Sequence, residues 1–153
     1  MKITVDLNVM LDVVQNRAPH YQDSAEVLSR ARAGEISAVL PSHAVTTLYY
    51  VLAKAAGTTK ADQTVDWLLT HFEIAVADKA IFRRARQLSL GDFEDAVVAS
   101  LAEASKCDYV VTRNVPDFAG STVPAITPTG FLALLPENEA SDEASPDKTT
   151  LTG

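Results

Sequence analysis

The sequence has no long apolar run and only one cysteine, Cys107. A helix that crosses a membrane needs about 20 consecutive apolar residues, so we expect no transmembrane segment. Asp6, Asn8 and Asp12 interrupt the N-terminal region, so no apolar core of a signal peptide is expected there. A single cysteine excludes an internal disulfide and is typical of a buried thiol in a reducing compartment. We therefore predict a cytoplasmic protein.

The sequence also lacks the residue spacings that zinc sites and cysteine nucleophiles require. His20, His43 and His71 are isolated along the chain and share no ligand spacing with Cys107. Structural zinc sites use pairs of Cys or His at short, regular intervals. Neither a zinc site nor a cysteine-based enzyme is predicted.

An excess of basic residues is missing as well: 20 acidic side chains oppose 13 basic ones, and the net charge is −7. Domains that bind nucleic acid usually carry the opposite balance. However, residues 136–153 hold five acidic residues and one lysine, so more than half of the net charge belongs to this segment. The overall acidity therefore does not decide which partner the protein binds.

The sequence does contain short apolar segments that alternate with longer segments of helical periodicity. Strands are predicted at 3–5, 36–40, 73–77, 109–112 and, more briefly, 123–126. Helices are predicted after 6–8, over 21–34, from Ser42 as N-cap to Gly57, from Thr58, after Asp78 as N-cap, over 93–105 and over 130–135. Such alternation predicts an α/β fold, a three-layer sandwich with a mainly parallel central sheet of four to five strands. We predict one domain over residues 1–135 and an acidic, disordered tail over 136–153.

Acidic side chains follow two of the predicted strands and open one helix. Asp6 follows the first strand, Asp117 follows the fourth, and Glu94 and Asp95 begin the helix between them. Ligands bind beyond the carboxyl ends of the strands in an open parallel sheet, so these side chains should converge on one rim. Two carboxylates about 4 Å apart repel by roughly 4 kcal/mol at an effective dielectric of 20. Mg²⁺ or Mn²⁺ would relieve that repulsion, activate a water and neutralise charge on a phosphate.

Several of these residues also have a purely structural interpretation. Asp6 could end a strand in an Asx-turn, and Asp92 is better explained as a helix N-cap. Asp12 is interpreted as a solvated helix residue, and Arg113 either as a surface charge or as a phosphate contact. Packing roles are predicted for Leu48, Tyr49, Tyr50, Leu52 and Phe118, and inward positions for Val65, Leu68, Leu69 and Phe72.

Asp95 is the acid for which function is favoured. It leads into Ala96-Val97-Val98-Ala99, an apolar helix that must be buried. An acid at the mouth of such a helix faces the rim of the sheet. Asn114 and Asp117 could still shape a turn around Pro116.

Three segments together resemble the PIN-domain family over residues 1 to about 135. They are Val5-Asp6-Leu7-Asn8-Val9-Met10-Leu11-Asp12, Asp92-Phe93-Glu94-Asp95-Ala96 and Thr112-Arg113-Asn114-Val115-Pro116-Asp117-Phe118. Many bacterial members are VapC-type toxins, which are Mg²⁺- or Mn²⁺-dependent endoribonucleases, commonly dimeric and held inactive by a small antitoxin. The resemblance implies a cytoplasmic toxin that cleaves single-stranded RNA, with an antitoxin partner and a homodimeric state.

The resemblance also implies roles for individual residues. Asp6, Asp95 and Asp117 would be catalytic and would bind the metal. Glu94 would be a fourth metal ligand. The RNA backbone would be held by Asn8, Thr112, Arg113 and Asn114.

The chain departs from the family at Thr47, where a glutamate is usual. A hydroxyl is a poorer Mg²⁺ ligand than a carboxylate, so a catalytically impaired PIN-like module that binds RNA or protein is the alternative. A phosphohydrolase of the haloacid-dehalogenase kind is disfavoured, because Asn8 stands where that chemistry needs a second aspartate.

Overall fold

The computed structural model describes residues 1–137. Most of the tail predicted for 136–153 lies outside the described residues. A five-stranded sheet forms the centre of the fold. Its strands are β1 (Lys2–Val5), β2 (Ser37–Pro41), β3 (Glu73–Ala75), β4 (Tyr109–Val111) and β5 (Ala125–Ile126). Their order is β3-β2-β1-β4-β5, and every neighbouring pair is parallel.

Helices precede and follow most of the strands, because parallel neighbours need long crossover connections. They are α1 (Leu7–Val14), α2 (Tyr21–Arg32), α3 (Ser42–Ala56), α4 (Thr58–His71), α5 (Lys79–Gln87), α6 (Phe93–Ala104) and α7 (Pro128–Leu132), with a 3₁₀ turn at Val115–Phe118. Within residues 1–137, none of these helices is long and apolar enough to span a membrane. The predicted α/β class and the parallel sheet are confirmed.

The two central strands are buried on both faces, as expected for a parallel sheet covered by helices. Ile3 and Val5 of β1, and Val110 and Val111 of β4, are fully inaccessible to solvent. On one side, residues 96–102 of α6 are all buried. The prediction that this apolar helix lies inside the protein is confirmed.

The order of the strands creates a crevice between β1 and β4. From β1 the chain first builds β2 and β3 on one side, and then β4 and β5 on the other. Val5 pairs with Val111, and the amide of Asp6 donates to the carbonyl of Val111 at 3.0 Å. Asp6 and Thr112 therefore leave the sheet side by side at its topological switch point, where ligands of such folds bind.

Several predicted positions differ in the structure. Tyr50 is 61% exposed and Leu69 is 56% exposed, so neither packs inward. Leu69 follows the buried Leu68 on the same helix, and adjacent helical residues point about 100° apart. The ring of Tyr50 lies under the ammonium group of Lys54, 4.7 Å from the ring centroid. Ser42 is the first residue of α3 and not its cap.

Candidate active site

Asp6 begins α1 and is turned towards β4. Its Oδ1 accepts a hydrogen bond from the amide of Leu7 at 2.8 Å, which caps the helix. Its Oδ2 accepts hydrogen bonds from Thr112 Oγ1 at 2.8 Å and from Asn8 Nδ2 at 3.1 Å. The carboxylate is buried, with only 8% of the residue exposed. Asp6 is thus the N-cap of α1. Its carboxylate is also held in one orientation by Thr112, which follows the neighbouring strand β4.

The environment of Asp6 shifts its pKa in opposing directions. Burial raises the pKa of this carboxyl above its usual value, and the nearby charge of Glu94 adds to the rise. The hydrogen bonds from Thr112 and Leu7 lower the pKa, and so does His43. The net rise in pKa is typical of a carboxyl group removed from water next to another acid.

Thr112 orients Asp6 and does not face solvent. It is fully buried, and its hydroxyl donates to Asp6 while accepting from the amide of Asn114 at 3.1 Å. Asn8 completes the network, because its Oδ1 accepts from the amide of Arg113 at 3.4 Å. The Thr112 hydroxyl is therefore engaged with Asp6 and Asn114, and the RNA contact assigned to Thr112 from the sequence stays a prediction. Asn8 is half-buried and Asn114 is exposed.

Asp95 lies in the first turn of α6, which Asp92 caps by accepting a hydrogen bond from the Asp95 amide at 3.1 Å. The prediction that Asp92 is an N-cap is confirmed. Burial first, and then the charges of Asp6, Asp92, Asp117 and Glu94 in that order, together raise the pKa of Asp95 to about 6. The acids from β1, from α6 and from the turn after β4 therefore act on one carboxyl group.

The acidic side chains are not already gathered into a finished metal site. Within residues 1–137, no three acidic, histidine or cysteine side chains lie close enough together to hold an ion as they stand. The donors are nevertheless of the kind that Mg²⁺ and Mn²⁺ prefer, because all are hard oxygen ligands and these ions retain several waters. The chemistry of the donor set fits such an ion.

His43 belongs to this region, although the sequence analysis treated it as isolated. It directly follows β2 and Ser42, and its Nε2 lies 3.6 Å from Oε1 of Glu94. Asp6 was predicted from its position after the carboxyl end of a parallel strand. The same argument applies to His43, because β2 neighbours β1 and its carboxyl end reaches the same rim. Thr47, one turn further along α3, is exposed, and its hydroxyl donates to the carbonyl of His43 at 3.2 Å. The Thr47 hydroxyl is therefore engaged by its own helix.

Asp12 is the clearest error of the sequence analysis. It was interpreted as a solvated residue, but it is fully buried. Its Oδ2 lies 2.8 Å from Nε of Arg113 and accepts a hydrogen bond from Ser24 Oγ at 3.2 Å. The Arg113 Nε–H is not aligned for a hydrogen bond, so charge holds the pair. Asp12 lies on the face of α1 that meets α2, where periodicity alone could not distinguish an ion pair from a surface acid.

Asp95→Asn should raise the melting temperature of the metal-free protein at about pH 8, because it removes one charge from a group of like charges. The pKa of Asp95 is about 6 in the folded protein against an ordinary 3.8, so its ionisation destabilises the fold fully above about pH 6 and not at all below about pH 4. Thermal unfolding in EDTA should be followed from about pH 8 down to about pH 4. The gain in melting temperature should disappear as the pH falls through this range. Asp66→Asn, at an exposed position of α4, is the matched control. An unchanged or lower melting temperature for Asp95→Asn at about pH 8 would contradict the placement of these charges.

The fold and the acidic rim define an α/β domain whose candidate site lies at the switch point of a parallel sheet. Residues 2–116 match the family model of the PIN domain. The chain belongs to the PIN-domain family. It is also 27% identical over 118 residues to Ribonuclease VapC1 of Aquifex aeolicus, which covers 74% of this chain and 81% of that protein.

Solved structures of similar fold include two toxin–antitoxin complexes. VapBC2 from Rickettsia felis, bound to a DNA fragment from its promoter, aligns with a TM-score of 0.61 and 18% identity, covering 83% of this chain and 98% of that one. A toxin–antitoxin complex from Klebsiella pneumoniae aligns with a TM-score of 0.63 and 20% identity, covering 82% and 97%. VapC20 of Mycobacterium tuberculosis, a sarcin–ricin loop cleaving toxin, aligns with a TM-score of 0.56 and 10% identity, covering 71% and 86%. At these identities the likeness concerns the fold.

Proposed function

We propose that this PIN domain is a metal-dependent endoribonuclease that cleaves single-stranded RNA and serves as the toxin of a toxin–antitoxin pair. The observation that carries the proposal is that Asp6 and Thr112 leave the sheet side by side at its switch point, where Glu94 at the start of α6 lies 3.6 Å from His43 after β2. The names of the similar proteins, a ribonuclease and toxins held in complexes with antitoxins, support the substrate class and the kind of partner. The proposed nuclease domain spans residues 1–135, and its proposed state is a homodimer.

Asp6, Glu94, Asp95 and Asp117 would hold Mg²⁺ or Mn²⁺. When bound, such an ion supplies Lewis acidity and neutralises charge on the scissile phosphate. The protein's own residues prepare the site: Thr112 and Asn8 hold Asp6 in one orientation. Asn114 is exposed beside them and can donate to the RNA backbone, and so can Asn8 and the part of Arg113 that faces solvent.

A PIN-like module that binds RNA or protein without cleaving it is the second candidate. The observation that favours it is Thr47, whose hydroxyl is committed to the carbonyl of His43. No carboxylate stands at that position. The two candidates differ in whether the domain binds a divalent ion and cleaves RNA.

Purified protein should cleave an end-labelled single-stranded RNA in Mg²⁺ or Mn²⁺ and lose this activity in EDTA, because the carboxylates need the ion to act on phosphate. Asp117→Asn, purified in parallel, controls for contaminating nucleases and should be inactive. Calorimetry with Mn²⁺ should give a binding signal for the unmodified chain. RNA binding with neither a Mn²⁺ signal nor cleavage would favour the binding module, and cleavage that persists in EDTA would refute the metal-dependent mechanism.

A further inference from the structure

Two phenylalanine rings are exposed immediately beside the acidic rim. Phe82 of α5 is 44% exposed and Phe93 of α6 is 51% exposed. The rings are stacked, with centroids 6.2 Å apart and planes inclined by 24°. The packing of α5 on α6 does not need them, because Ala85, Ala96, Val97 and Leu101 form the buried cluster between these helices. The ring pair is thus an apolar surface without an intramolecular role in the core.

The two rings line an open cavity of about 440 Å³ together with Asp78 and three basic residues, Lys79, Arg83 and Arg86. These three cations are exposed, and within residues 1–137 none of them forms an ion pair. Arg84 differs from them, since its guanidinium group is held by Glu103 at 2.8 Å and 2.9 Å. With Asp78, the lining of the cavity carries three positive charges and one negative charge around two aromatic rings, so its net charge is positive in an otherwise acidic protein.

The position of this surface connects it to the candidate active site. Phe93 is the first residue of α6, and Glu94 and Asp95 follow it directly. Residues one and two positions apart in a helix point about 100° and 200° apart, so the ring of Phe93 and the carboxylates lie on different sides of the start of α6. Ala77 and Asp78, which also line the cavity, follow the carboxyl end of β3, so the cavity lies at the same rim of the sheet as the acids. A strand that runs along this rim has one phosphate at the acids and a neighbouring nucleotide within reach of the rings.

We propose that the cavity lined by Phe82, Phe93, Lys79, Arg83 and Arg86 binds an unpaired nucleotide next to the scissile phosphate of the RNA. A base stacks on the exposed rings while the cations bind the adjacent phosphates, which is the combination that proteins use for single strands. The cavity volume lies within the range of about 300–1,000 Å³ for sites that take small molecules. This inference rests on the proposed function and adds to it a reason for preferring single strands, because a base in a duplex cannot reach the rings.

The positive charge of the surface favours a polyanion such as RNA over an apolar protein partner. An apolar partner would bury the three cations without compensation, which is costly. A polyanion such as RNA compensates these cations. A strand bound in the cavity would continue from there to the proposed metal site at the acidic rim. A second copy of the chain would bring another set of like charges to the surface.

RNA binding by Phe82→Ala and Phe93→Ala tests the proposal. The probe is a fluorescent single-stranded RNA of roughly 12 nucleotides, and the background is Asp117→Asn, which separates binding from cleavage. Each alanine variant should raise Kd by about 5- to 100-fold, the effect of losing one stacked base. Phe82→Trp should restore binding, and Leu69→Ala, an exposed apolar residue of α4, should leave Kd unchanged.

The cations are tested by the salt dependence of the same binding reaction. Arg83→Gln combined with Arg86→Gln should lower the slope of log K against log salt by about 1.4, since each phosphate contact on a single strand contributes about 0.7. Arg32→Gln, an exposed arginine of α2, should leave the slope unchanged.

The outcomes separate this proposal from the proposed function. If the unmodified chain cleaves RNA but the phenylalanine and arginine variants bind it normally, the nucleotide site is refuted and the nuclease stands. If the variants lose RNA binding while the unmodified chain shows no cleavage, the site is supported and the nuclease is refuted. If the variants bind RNA normally but become monomeric in light scattering, the surface is a subunit interface and the proposal is overturned.

Discussion

Asp6→Asn, Asp95→Asn and Asp117→Asn should each lower the rate of RNA cleavage by at least about 100-fold. Asparagine keeps the shape of the side chain but removes the charge that attracts a divalent ion. Asp6→Asn also leaves the buried hydroxyl of Thr112 with a neutral acceptor in place of a carboxylate. Single-turnover cleavage and Mn²⁺ calorimetry should both report the loss, because the same oxygens serve binding and catalysis.

Thr47→Ala is the control for this set, and it should change cleavage by no more than about twofold. The Thr47 hydroxyl bonds the carbonyl of its own helix at 3.2 Å, and such bonds contribute little to a neighbouring site. A loss in Thr47→Ala as large as in Asp6→Asn would show that this hydroxyl serves the active site. Activity retained in all three asparagine variants would refute the assignment of the acids.

Arg113→Met should destabilise the protein by roughly 3–5 kcal/mol, the usual result of removing one partner of a buried ion pair. Asp12 is fully buried, and without Arg113 its carboxylate would keep only the hydrogen bond from Ser24. Urea denaturation should show a lower midpoint with an unchanged slope. The loss is structural, so it should appear in the absence of metal and RNA.

Two comparisons separate the ion pair from other effects. Asp12→Leu combined with Arg113→Met should be more stable than Arg113→Met alone, because no buried charge is left unpaired. Arg32→Gln, on the surface of α2, should stay within about 0.5 kcal/mol of the unmodified chain. If Arg113→Met impairs RNA cleavage without lowering stability, Arg113 is a phosphate contact and the ion pair is unimportant.

The sequence was most informative where the local pattern and the tertiary environment agree. The apolar run 96–102 predicted a helix in the interior of the protein, and these residues of α6 are all buried. Asp92 and Asp78 were recognisable as caps, and both accept the expected backbone hydrogen bond. The strand-terminal position of Asp6 was sufficient to predict its place on the rim, because parallel strands present their carboxyl ends together.

The errors arose where a side chain depends on an element that is distant in the sequence. Asp12 meets Arg113 only because β4 lies beside β1, and nothing near Asp12 in the chain reveals that arginine. His43 likewise gains its contact with Glu94 through the packing of α3 near α6. The sequence made no prediction about the exposure of Phe82 and Phe93, since periodicity does not tell which rings remain outside.

The adjacency of β1 and β4 has a consequence during protein synthesis. Asp6 emerges from the ribosome among the first residues, but Thr112, which holds its carboxylate, follows more than 100 positions later. Any nascent or truncated chain that ends before β4 lacks both this hydroxyl and Asp117. The proposed site therefore becomes complete only after Asp117 has been synthesised, when most of the domain has already been translated.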